Sequence, residues 1–110
     1  MTARLEIEIE GRPFERAEAE LAVAGIFRDD RPLRGGAARA DWRLCGRLSE
    51  LVRAGHLTGA CGEALLLPSF GRLGAPRLLI LGLGERARFR LTAAQDATRE
   101  AVGRALDLGV

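Results

Sequence analysis

The chain has 110 residues and a mass of 11.8 kDa, room for one small domain with one core. Hydrophobic residues make up 47% and charged residues 29%, the balance of a globular protein and not of a disordered one. No apolar run nears the roughly 18 residues that span a bilayer, and the net charge of +2 is a small difference between 17 basic and 15 acidic residues. All the basic residues are Arg, and Lys, Asn and Tyr are absent. A chain without Lys forms no lysine Schiff base and completes no P-loop. Arg is spread along the chain, whereas nucleic-acid binders gather it on one face, so no nucleic-acid partner is expected. Met1 to Glu10 has no apolar leader core, and the expected location is cytoplasmic.

Arg4 to Glu10 alternates aliphatic and acidic residues, the pattern of a half-buried strand with one wet face. Gly11 to Glu20 is polar and reads as a connection. Leu21 to Phe27 is almost wholly apolar and predicts a strand covered on both faces. Arg28-Asp-Asp-Arg-Pro32 predicts a turn held by local ion pairs. From Ala37 to Ala54, Leu44, Cys45, Leu48, Leu51 and Val52 recur at helical spacing, and Gly55 ends the helix. Arg39, Arg43 and Arg47 fall four apart on another face of that helix. Ala64 to Leu67 and Arg77 to Leu81 predict two short buried strands. Thr92 begins a last helix, with Gln95 completing a capping box and Ala94, Ala97, Ala101, Val102, Ala105 and Leu106 forming an apolar stripe. The order β-β-α-β-β-α predicts an α/β fold, a mixed β-sheet flanked by helices on both faces. The chain stops at Gly109-Val110, where a further strand is expected, so the domain is expected to be truncated there.

No set of residues assembles a catalytic site. Cys45, His56 and Cys61 lack the short paired spacing of a zinc site, and both cysteines are read as reduced and structural, with Cys45 on the apolar face of its helix. Ser49 lies mid-helix without a nucleophile elbow. Trp42 is read as a core or interface anchor. Gly82-Leu-Gly-Glu-Arg-Ala87 fits the G-x-G-x-x-A dinucleotide pattern, but the expected helix begins too late for it. Gly35-Gly36 and Gly82 to Gly84 are the loops able to cradle a phosphate.

The order of features from Glu20 onward resembles the N-terminal domain of the leucyl, or cytosol, aminopeptidase family. The resemblance is carried by Leu21-Ala-Val-Ala-Gly-Ile-Phe27, Arg31-Pro-Leu33, the helix end Leu51-Val-Arg-Ala-Gly55, the connection Gly55, Gly59, Gly62, Glu63 with its Leu-rich strand, and Arg77-Leu-Leu-Ile-Leu-Gly-Leu-Gly84. It implies a macro-domain-like sheet and one domain over residues 1–110. The family's two-metal peptidase site, with Zn or Mn, lies in a separate catalytic domain and uses a Lys and several acids. No catalytic or metal residue carries over to this chain, and no cofactor is expected in it. The implied role is non-catalytic, in assembly or regulation, with further copies of the chain or an aminopeptidase catalytic domain as partner and no membrane. Arg39, Trp42, Arg43 and Arg47 are the candidate interface residues. The alternative is a macro-domain-type binder of ADP-ribose or a related phosphate-containing ligand, held by Gly35, Gly36, Gly82 and Gly84.

Overall fold

The structure, a computed structural model, describes residues 19–109. The strand expected at Arg4 to Glu10 lies outside the described residues. The elements are β1 (Ala22–Ile26), α1 (Gly35–Arg43), α2 (Arg47–Arg53), β2 (Ala64–Pro68), β3 (Arg77–Gly82), a 3-10 turn (Arg86–Arg88) and α3 (Leu91–Asp107). The sheet has three strands in the order β1-β3-β2. β1 runs parallel to β3, with Ala24 opposite Ile80. β2 runs antiparallel, with Leu65 opposite the same Ile80. The sheet is therefore mixed, as the apolar runs predicted.

Alternation along a strand divides these side chains between two faces. Ala24, Ile26, Leu78 and Ile80 join Ala37, Ala40, Leu44, Leu48 and Leu57 in one core cluster, which places α1 and α2 on that face. Leu79 and Leu81, on the other face of β3, are also buried, at 3% and 4% exposure. The helix layer expected on this second face is not seen as a packed layer: α3 has no fully buried residue. Its start also differs from expectation. Arg90 is the N-cap and makes no side-chain cap, so the Thr92–Gln95 box does not form. Glu100 and Arg104, one turn apart on α3, pair at 3.0 Å.

The single helix expected from Ala37 to Ala54 is two helices. The chain turns at Cys45 (φ 58) and Gly46 (φ 83), both left-handed. Gly adopts that region at no steric cost, so Gly46 is the residue that allows the break. The apolar spacing survives it, because Leu44 and Leu48 remain buried on either side. α2 has no capping side chain at Gly46. The Asp41 carboxylate, from α1, accepts the Ser49 N–H at 3.1 Å and the Ser49 hydroxyl in its place.

β3 ends where the chain passes close to itself. A Cβ on Gly82 would overlap the Ala60 carbonyl oxygen. Gly82→Ala is expected to destabilise the fold by about 2 kcal/mol. Gly103, inside α3, faces open space, and Gly103→Ala is expected to stabilise by about 0.5–1 kcal/mol through helix propensity. Urea unfolding of both variants checks the pair, and a Gly82→Ala protein as stable as the parent would contradict the close approach.

Candidate functional site

Two regions carry the candidate residues. The first lies beyond the C-terminal ends of the parallel strands β1 and β3, at the turn Gly82–Gly84. The Gly82 N–H donates to Glu63 O at 2.7 Å, the Leu83 N–H to Ile26 O at 2.9 Å, and the Gly84 N–H to Gly59 O at 2.8 Å. The Arg86 N–H donates to Asp29 Oδ1 at 3.0 Å. A phosphate cradle needs such N–H groups free. Here four of them are used inside the protein, so this geometry does not favour phosphate at Gly82 and Gly84. A 3-10 turn also follows, where a dinucleotide site needs a helix at once. Gly35, at φ 61, and Gly36 open α1.

Long-range contacts hold this end of the sheet. Arg86 Nη2 donates to both oxygens of Asp30, at 2.8 and 2.9 Å. Asp30 is 5% exposed. The Arg86 guanidinium also lies over the Phe27 ring, 4.2 Å from its centroid, and Phe89 meets that ring edge-on at 5.1 Å. The local ion pairs expected among Arg28, Asp29, Asp30 and Arg31 are replaced by this one. Arg31 instead donates to the Asp30 and Thr58 carbonyls. The Arg86 N–H holds the Asp29 carboxyl below the ordinary carboxylate range. Sequence reasoning missed Arg86, since 56 residues separate it from Asp30 and no local pattern links them.

Glu63 ties the preceding loop together. Its carboxylate accepts the N–H groups of Thr58 and Gly59, at 3.0 and 2.8 Å, and the Thr58 hydroxyl at 2.9 Å. Partial burial pushes this carboxyl up, but the Gly59 and Thr58 donors outweigh it and hold it below its ordinary value of 4.5.

The second region is a surface recess lined by Asp41, Trp42, Arg43, Cys45, Gly46, Gly71 and Arg72. It lies between the C-terminal end of α1 and the β2–β3 loop. Buried Ser69 anchors that loop, its hydroxyl donating to Ala75 O at 2.6 Å. Arg43 Nε donates to Arg72 O at 3.1 Å, and Arg72 Nη1 contacts Cys45 Sγ at 3.2 Å. Trp42 is 82% exposed, which removes the core reading of that residue. Cys45 is exposed too, contrary to its expected place on an apolar face, because the helix break turns it outward. The break also divides the Arg row. Arg39 and Arg43 remain on α1, while Arg47 begins α2 and pairs with Glu50 at 3.5 Å. Among the described residues no three His, Cys, Asp or Glu side chains group to hold a metal ion.

Removing Arg86 leaves the Asp30 carboxylate buried without its partner. Arg86→Ala is expected to cost about 2 kcal/mol, below the full penalty of a buried pair because Arg86 is half exposed. Arg88→Ala, at an exposed pair, should change stability by less than about 0.5 kcal/mol. Urea midpoints check both, and equal effects would contradict the assigned roles. The Glu63 carboxyl is lowered in the folded state. Its stabilisation is therefore present above the unfolded pKa and lost as pH falls through the lower folded value. Below pH 4.5 the parent should lose stability more steeply than Glu63→Gln, a difference that melts at pH 3 to 6 would reveal.

The comparisons agree with the resemblance. The model of the cytosol aminopeptidase family N-terminal domain matches residues 22–110. A probable cytosol aminopeptidase of Burkholderia multivorans is 35% identical over 92 residues, covering 84% of this chain and 18% of that protein. One of Paraburkholderia phytofirmans is 33% identical over 88 residues, covering 80% of this chain and 17% of that protein. The chain thus spans less than a fifth of the length of these relatives. No helix among the described residues is long and apolar enough to cross a membrane. The chain belongs to the cytosol aminopeptidase family and matches its N-terminal domain.

Proposed function

We propose that this chain is the non-catalytic N-terminal domain of a leucyl-aminopeptidase-like protein, acting in assembly or regulation in the cytoplasm. The observation that carries the reading is the match of residues 22–110 to a family model described as an N-terminal domain. The composition supports it, since the chain has no Lys for the peptidase site that the resemblance implies. In this reading the three strands belong to a macro-domain-like sheet, and the two divalent metals, Zn or Mn, belong to a separate catalytic domain. The partner is a further copy of the chain or such a catalytic domain. Arg39, Trp42, Arg43 and Arg47, around the end of α1 and the start of α2, are the proposed contact residues.

Leucine p-nitroanilide hydrolysis by the purified chain, with Zn or Mn added, tests the first half. The reading expects no turnover, and turnover that a chelator removes would overturn it. Light scattering tests the second half. A mass fixed at 11.8 kDa at all concentrations, alone and mixed with a catalytic region of the family, would overturn the assembly role.

A further inference from the structure

We infer that the recess at the end of α1 is a docking site for an acidic, aliphatic peptide segment of a partner protein. The inference rests on the assembly reading and names the chemistry of the partner surface. Two large aromatic side chains stand in solvent at this place, Trp42 at 82% and Phe70 at 80% exposure. Phe70 adjoins Gly71, which lines the recess with Trp42. Aromatic rings left in water beside a concave surface are the usual anchors of an interface.

The charge of the recess selects the partner. Arg43 and Arg72 line it, and Arg43 is held in place by its bond to the Arg72 carbonyl. The one acid in the lining, Asp41, already accepts two hydrogen bonds from Ser49. Neither Arg forms an ion pair among the described residues. What the recess offers is therefore two guanidinium groups and the Trp42 ring, with the Phe70 ring beside it. Carboxylates complement the first and aliphatic side chains the second.

A second copy of the same face is the wrong partner. A two-fold contact would set Arg43 and Arg72 against their own counterparts, and like charges in contact oppose association. The backbone adds a further observation. Cys45 (φ 58) and Phe70 (φ 55) are the non-glycine residues with left-handed backbone among the described residues, and both border this recess. Such conformations persist where the surroundings hold them.

Trp42 is the only tryptophan of the chain, so its fluorescence reports on the recess directly. The probe is a capped hexapeptide of alternating Glu and Leu, with its Gln-Leu counterpart as control. The Glu-Leu peptide should shift Trp42 emission to the blue and shield it from iodide. Its binding should weaken with added salt. The Gln-Leu peptide should bind at least about tenfold more weakly. Arg72→Glu and Phe70→Ala should each weaken the Glu-Leu peptide by about tenfold. Anisotropy of labelled peptide reads Trp42→Ala in the same way, and far-UV circular dichroism confirms that each variant is folded. Equal binding of the two peptides, or unchanged binding by the folded variants, would overturn the inference. A blue shift that grows with protein concentration without peptide would assign the recess to a second copy and also overturn it. Loss of peptide binding with assembly intact removes only this inference, whereas peptide binding by a chain that never assembles removes only the assembly role.

Discussion

Residues 77–82 have to be covered on both faces at once. Leu78 and Ile80 point to one side of the sheet and Leu79 and Leu81 to the other, and all four are buried. A strand of this kind is stable only in the middle of a sheet, with a neighbour on each edge. β1 supplies one edge in parallel and β2 the other in antiparallel. The consequence reaches the sequence at Gly82, where the backbone of residues 59 and 60 passes so close that a side chain has no room. The two helices on the first face then follow from the apolar residues they must place over Leu78 and Ile80.

Polar groups at the two ends of this sheet are used in different ways. At the C-terminal end of β3, N–H groups and carboxylates satisfy one another: Glu63 closes residues 58 and 59, Asp29 takes the Arg86 N–H, and Asp30 takes its guanidinium. Buried polar groups paired in this way fix a turn and leave little for a ligand. At the end of α1 the opposite holds. There two arginines and two aromatic rings face solvent around a recess. The first region is architecture, and the second is the surface on which a contact role rests.

The legible part of the fold was the part with local pattern. The apolar runs at 21–27, 64–67 and 77–81 stand out as strands because few other structures bury so many adjacent side chains. The family was legible from the ordered series of those runs and the glycines between them. The helix break was not, because Leu44 and Leu48 keep helical spacing across it, and Gly46 was the one residue that signalled it. Once the break is present, the Arg row and the inward place of Cys45 both fail for the same reason: the face on which they were aligned does not continue. The Asp30–Arg86 pair was hidden by its separation along the chain. Phe70 and Arg72 were hidden because a loop has no period from which exposure can be read. Trp42 and Arg43, expected as interface residues, both line the recess, but that a recess joins them to Gly71 and Arg72 is visible only in three dimensions.

If β3 is the strand on which the rest depends, stability should decline with distance from it. Native-state hydrogen exchange of the chain measures this directly, residue by residue. The amides of Leu79 to Leu81 should exchange only through global unfolding, while those of α3, which has no fully buried residue, should exchange through local opening at lower free energy. Amides of α3 as slow as those of β3, or β3 amides that open before the helices, would contradict the account.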